Sequence, residues 1–89
     1  VWRSGVGITA SGALVYAVGP RLSAATLAQL LVRAGAIRAM ELDINPSWTI
    51  FVNYPPNGAA PTKLLSDMQR PASIYDSFNS RDFIVARLP

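Results

Sequence analysis

The sequence predicts an α+β fold in which a mixed β-sheet of about five strands is covered by one helix. Short apolar segments separated by turn-forming residues recur along the chain, as strands do. A single segment has apolar residues at helical spacing instead. The predicted order is therefore β-β-α-β-β-loop-β. One helix covers only one face of such a sheet, so we expect the other face to meet solvent, further chain or a partner.

The first two strands are predicted at residues 6–9 and 13–18, joined as a hairpin. Ser11-Gly12 lies between these apolar runs, and glycine adopts positive φ without a Cβ clash. Gly19-Pro20 ends the second strand, because proline fixes φ and lacks the N–H that a strand ladder needs.

The helix is predicted at residues 24–34. Ser23 or Thr26 can cap its N-terminus, and Gly35 stands where a left-handed glycine would end it. The apolar stripe of this helix follows the i, i+3, i+4, i+7 spacing: Leu27, Leu30, Leu31 and Ala34.

Three further strands are predicted at residues 37–42, 48–53 and 82–88. Between them, residues 54–62 contain three prolines and an Asn-Gly pair, which is typical of a loop. Residues 63–69 are consistent with one helical turn or a short strand, and residues 71–80 are predicted to be irregular.

The chain has 89 residues, of which 51% are hydrophobic and 15% charged. This length allows one small domain. The chain opens on Val1, so we expect residues 1–89 to be a portion of a larger domain. The absence of His and Cys excludes zinc sites and thiol or imidazole catalysis within this chain. Its net charge of +3 is scattered, without the basic stripe of a nucleic-acid interface. No apolar run approaches the roughly 20 residues of a membrane span.

The candidate chemistry lies at the end of the strand predicted at residues 37–42. Side chains alternate across a strand, so Glu41 and Asp43 are expected on one face. Mutual repulsion would raise the pKa of one carboxyl, and the pair could then share acid and base roles. Two other interpretations stay open. In the first, Asp43 or Asn45 bonds its own backbone in a β-turn; in the second, Glu41, Asp43 and Asn45 offer oxygens to calcium.

Several segments together resemble the phosphodiester glycosidase family. Residues 3–14 resemble the family's run of Arg, small residues, Gly, an apolar residue, Thr and a turn ending in Gly. Further matching segments are Thr26-Leu27, Ala34-Gly35-Ala36, Ala39, Leu42-Asp43, Ser47 and Thr49-Ile50-Phe51-Val52. The resemblance covers about residues 3–53 and implies that the chain is the C-terminal portion of the catalytic domain.

The resemblance implies a hydrolase that removes a sugar joined through its anomeric carbon to a phosphodiester. The animal member of the family uncovers mannose 6-phosphate, and bacterial members are thought to act on envelope polymers. The implied protein is extracellular or in the cell envelope and needs no organic cofactor, and none of its site residues is assigned to a metal. Its partners would be a sugar-phosphate glycan and an N-terminal segment of the same protein as a second chain.

The resemblance also assigns roles to residues of this chain. Asp43 and Glu41 would be catalytic, and Arg3 would grip phosphate in a bidentate fork. Ser47 and Thr49 would donate hydrogen bonds to phosphate. Asn45 would bond a sugar hydroxyl or close an Asx-turn, the turn being the more ordinary role.

One departure from the family pattern favours an alternative function. Where the family has consecutive glycines after Leu-Asp, this chain has Ile44-Asn45-Pro46. Glycines there would let backbone amides approach a phosphate closely, whereas proline removes one amide. The alternative is a non-catalytic carbohydrate-binding or structural domain with a degenerate site.

Overall fold

The computed structural model describes residues 1–76 and 82–87. Within them the strands are β1 (Arg3–Thr9), β2 (Leu14–Gly19), β3 (Ala36–Glu41), β4 (Val52–Asn53) and β5 (Thr62–Lys63). The α-helix α1 is Ala24–Arg33, and a short 3₁₀-helix spans Ile74–Asp76. The predicted α+β class is confirmed.

The described strands form two antiparallel sheets rather than one. The larger sheet has the order β2-β1-β3, and β4 pairs only with β5. In the larger sheet Val6 lies opposite Tyr16 on β2, and Gly5 lies opposite Glu41 on β3. Because directly opposite residues share a face, this register decides which side chains can meet.

Helix α1 begins and ends at the predicted signals. The Ser23 hydroxyl accepts a hydrogen bond from the Thr26 N–H, and the Thr26 hydroxyl accepts one from the Ser23 N–H. These reciprocal bonds satisfy two N–H groups at the helix start. At the other end Gly35 has φ of +97°, the left-handed conformation that ends a helix at low cost.

Gly5 leaves room for the helix to pack close to β1, and Gly7 leaves room for Ala36 of β3. A Cβ at Gly5 would lie 3.0 Å from Leu31 Cδ1, and a Cβ at Gly7 would lie 2.7 Å from Ala36 Cβ. Leu27 and Leu31 are the buried residues of the helix. Leu30, expected in the same stripe, is 41% exposed, so the buried face of α1 is narrower than its apolar spacing predicts.

The strand predicted at residues 48–53 is reduced to β4, Val52–Asn53. The Asn45 carbonyl accepts hydrogen bonds from the N–H groups of Trp48 and Thr49, at 3.3 and 3.1 Å. These bonds hold residues 45–49 in a turn, so the sheet cannot extend back to Trp48. The loop after β4 is confirmed, and Thr62 and Lys63 at its end pair with β4.

The last predicted strand is not present at residues 82–87, all of which are exposed. No described strand lies beside this segment to complete a ladder. The final predicted residue, Leu88, and the part of the irregular segment at residues 77–80 lie outside the described residues. The strand that follows the loop is thus β5, earlier in the chain than expected.

Candidate functional site

A bulge at the end of β3 sets the geometry of the candidate site. The Leu42 N–H donates to the Ser4 carbonyl at 2.8 Å, and the Ser4 N–H donates to the Asp43 carbonyl at 2.9 Å. Two residues therefore oppose one, which is the definition of a β-bulge. The Asp43 N–H also donates to Ser4 Oγ, at 3.2 Å.

The bulge interrupts the alternation from which Glu41 and Asp43 were expected on one face. Glu41 lies opposite Gly5, whose Cα faces the helix, and it pairs with Arg3. Asp43 instead acts electrostatically on Tyr16, which belongs to the other face of the sheet with Val6. The structure therefore does not bring the two carboxylates together as a pair.

Two contacts hold the partly exposed side chain of Arg3 in place. Its Nη1 lies 2.7 Å from Glu41 Oε2, and its Nε donates to the Leu22 carbonyl at 2.9 Å. The Arg3 side chain is 22% exposed, so it is not the fully solvated terminal arginine that its sequence position would allow. These contacts use two of the five donors of a guanidinium.

Asp43 lies in a cluster with two tyrosines. Burial is the main cause that raises the pKa of Tyr16 to about 12, and the charges of Asp43 and Tyr75 also raise it. The Ser4 hydroxyl lowers this pKa by less than burial raises it, although no hydrogen bond of good geometry joins it to the phenol. Burial, and then Asp43, also raises the pKa of Tyr75. The buried Tyr16 oxygen has no hydrogen-bond partner within the described residues.

The turn after Asp43 uses its polar groups internally. Asn45 Oδ1 accepts from the N–H groups of Ser47 and Trp48, at 3.0 and 3.1 Å, which confirms the Asx-turn. Thr49 is only 1% exposed, and its buried hydroxyl has no partner in the described part of the chain. The Thr49 hydroxyl therefore lies in the interior rather than on a surface that a ligand could reach.

Arg70 braces this turn from a distant part of the chain. Its Nε donates to the Ser47 carbonyl at 2.7 Å, and its guanidinium carbon lies 4.7 Å from the centre of the Trp48 ring. Such a stacked cation on an indole is a favourable contact. Trp48 thus packs against Arg70.

Three residues near the site were not anticipated from the sequence: Tyr16, Tyr75 and Arg70. The only signal for Tyr16 was its register position in the first hairpin. Tyr75 and Arg70 lie in irregular segments, where no periodicity indicates which way a side chain points. Only tertiary contacts place Tyr75 and Arg70 near residues 43–48.

Among the described residues no three acidic, His or Cys side chains are grouped as a metal site requires. No described helix is long and apolar enough to cross a membrane. No protein family, curated protein or solved structure matches this chain.

The raised pKa of Tyr16 predicts a loss of stability at high pH. An unfolded tyrosine titrates near pH 10, and folded Tyr16 near pH 12, so the unfolded state loses its proton first. The stabilising contribution is complete below pH 10 and is lost as the pH rises towards 12. In urea unfolding, the free energy of unfolding of the Tyr16→Phe variant should fall less steeply with pH across this window than that of the unchanged chain.

The matched control is Tyr54→Phe, which removes a phenol that is 52% exposed. It should leave the pH dependence close to that of the unchanged chain. If the free energy of unfolding falls equally steeply with pH for the Tyr16→Phe variant and the unchanged chain, the burial of the Tyr16 phenol is contradicted.

Proposed function

We propose that this chain supplies part of the site of a hydrolase that releases a sugar from a sugar-1-phosphodiester. The observation that carries the proposal is the placement of Asp43 at the end of β3, beside the unpartnered phenol of Tyr16. A carboxylate next to a buried hydroxyl is a common setting for proton transfer. The resemblance of residues 3–53 to phosphodiester glycosidases supports the same chemistry.

In the proposed reaction Asp43 accepts a proton from water as the water oxygen attacks the anomeric carbon. The bond between that carbon and the phosphate oxygen breaks, and its electrons leave with the phosphate. The products are the free sugar and a phosphomonoester. Since a phosphate oxygen is a weakly basic leaving group, one carboxylate acting as base is sufficient, and Glu41 is not required as an acid.

Arg3 would bind the negative charge of the substrate across the end of the sheet, because Arg3 and Glu41 lie on the face opposite to Asp43 and Tyr16. Its contacts with Glu41 and Leu22 leave three N–H donors of the guanidinium for a phosphate. Glu41 then has a positioning role, because its carboxylate holds the guanidinium in place. Ser47 would reach phosphate through its hydroxyl, while Asn45 and Thr49 would act by shaping the turn.

A substrate of this kind occurs in secreted or envelope glycans, so we propose an extracellular or envelope location. We also propose an N-terminal segment of the same protein as a second chain that completes the pocket. Native mass spectrometry of the purified protein tests this: an additional mass that differs from a multiple of this chain supports it. A mass explained by this chain alone contradicts it.

A non-catalytic carbohydrate-binding or structural role is the second candidate. It is favoured by the turn, in which Asn45 Oδ1 accepts hydrogen bonds from the N–H groups of Ser47 and Trp48. Those two amides are thereby withdrawn from phosphate, whereas the family's glycines would present theirs. A domain with this turn could hold a sugar without cleaving it.

The decisive experiment is the hydrolysis of a sugar-1-phosphodiester by the full-length protein. We expect free sugar to be released, and the Asp43→Asn variant to be at least about 100-fold slower, as for loss of a general base. The matched control is Asp67→Asn, which neutralises an exposed carboxylate and should keep the activity. Absence of hydrolysis with saturable binding in calorimetry would favour the second candidate, and absence of both would refute the two together.

A further inference from the structure

Strand β3 has an open outer edge. It is the last strand of the order β2-β1-β3, so only one of its sides is paired in the described structure. Because the Leu42 N–H points to Ser4 on β1, alternation places the backbone groups of Ala39 and Glu41 on the outer edge. An edge of this kind is a template for another strand.

An apolar groove of about 300 Å³ runs beside this edge, between α1 and β3. Its apolar walls include Leu27, Leu31, Val32 and Ile37. Val32 and Ile37 are 68% and 67% exposed, which is unusual for large aliphatic side chains so close together. The edge therefore offers both hydrogen bonds and apolar surface to the same ligand.

Residues 82–87 have the composition of a strand but no strand partner among the described residues. Phe83 and Val85 alternate with Ile84 and Ala86, as on the two faces of a strand. Phe83 contacts the ring of Tyr75, with 5.0 Å between centroids, yet it remains 54% exposed. Ile84 and Val85 are 68% and 73% exposed.

We propose that residues 82–87 of one copy of this chain pair in parallel with β3 of a second copy, and reciprocally, to form a dimer. In the parallel register Arg87 lies opposite Glu41, and Asp82 lies opposite Ala36. An antiparallel register about the same centre would place Phe83 instead of Arg87 opposite Glu41 and would lose this pair of opposite charges. The parallel register also places Val85 opposite Ala39, with its side chain towards the apolar groove.

The exposed area is large enough for this association. A folded protein of 9.5 kDa is expected to expose about 5,000 Å². The chain exposes 6459 Å², which exceeds that expectation by about 1,400 Å². A stable interface buries about 800 Å² on each partner. Covering the β3 edge and residues 82–87 would therefore bring the exposed surface towards that of an ordinary compact protein.

Light scattering across a concentration series tests whether the chain forms this dimer. We expect a doubled mass at high concentration, and a single-chain mass for the Ala86→Pro variant, since in this register the Ala86 N–H donates to the Ala39 carbonyl and proline lacks that N–H. Residues 82–87 are exposed and unpaired in one chain, so this variant should fold. The control Ala60→Pro, in the exposed loop before Pro61, should keep the doubled mass.

Disulfide trapping tests the register, because the chain has no Cys of its own. An equal mixture of the single variants Ala39→Cys and Val85→Cys should give a disulfide-linked heterodimer under mild oxidation. A mixture of Ala13→Cys and Val85→Cys should give far less. A single-chain mass at every concentration, a dimer that survives Ala86→Pro, or equal trapping in the two mixtures would overturn the proposal.

Discussion

Replacing Leu31 by alanine is expected to lower the free energy of unfolding by about 3 kcal/mol, within the usual range of about 2–5 kcal/mol for a buried leucine. Leu31 is 3% exposed and packs over Gly5, where no side chain can move in to fill the space. The hydrophobic residues buried in the described chain are few: Leu27, Leu31 and Met68. A small domain has only about 4–13 kcal/mol of stability, so this loss is a large fraction of it.

The matched control for this prediction is Leu30→Ala, one position earlier in α1. It makes the same change in helix propensity, but Leu30 is 41% exposed and loses less apolar contact. We expect a loss of about 1 kcal/mol or less from this control, measured by urea unfolding. Similar losses for the two variants would mean that α1 does not pack on the sheet through Leu31.

Replacing Gly7 by alanine is expected to destabilise the fold by about 1–3 kcal/mol. The new Cβ would lie 2.7 Å from Ala36 Cβ and 3.0 Å from the Arg38 carbonyl, where ordinary contacts begin at 3.4 Å. Both neighbours are fixed to the backbone of β3, so relief requires the two strands to separate. This cost exceeds the gain of about 0.4–1 kcal/mol that alanine brings by restricting the unfolded chain.

A second substitution isolates the cause of that loss. In the double variant Gly7→Ala with Ala36→Gly, the closest contact at Gly7 is removed. Thermal unfolding should show that the double variant is less destabilised than the sum of its single variants, which is a direct sign of coupling. Additive losses would show that the contact between positions 7 and 36 is not the reason for the glycine.

The position of Asp43 was predictable from the sequence, but the side chains around it were not. Asp43 follows the third strand, as the sequence predicts, and lies near Ser4 and Tyr16. The alternation of side chains predicted that Asp43 pairs with Glu41, but this rule holds only for an uninterrupted strand. The bulge at Ser4 depends on hydrogen bonds to a residue 39 positions away, and no local pattern announces it. Because of this bulge, Glu41 pairs with Arg3 on one face of the sheet, and Asp43 lies near Tyr16 on the other face.

Local signals were sufficient wherever a structure is completed within a few residues. Helix α1 is bounded by the Ser23–Thr26 bonds and by the positive φ of Gly35, and the hairpin turns at Gly12. The sequence alone determined these elements, because their hydrogen bonds join close neighbours in the chain.

Tertiary structure decided the features that depend on distant contacts. Residues 48–51 and 82–87 have strand composition, but a strand also needs a neighbour with open hydrogen-bonding groups. The turn held by Asn45 denies the first segment that neighbour, and no described strand lies beside the second. The physical reason is that a β-ladder is made by two segments together, so the propensity of one segment cannot determine it.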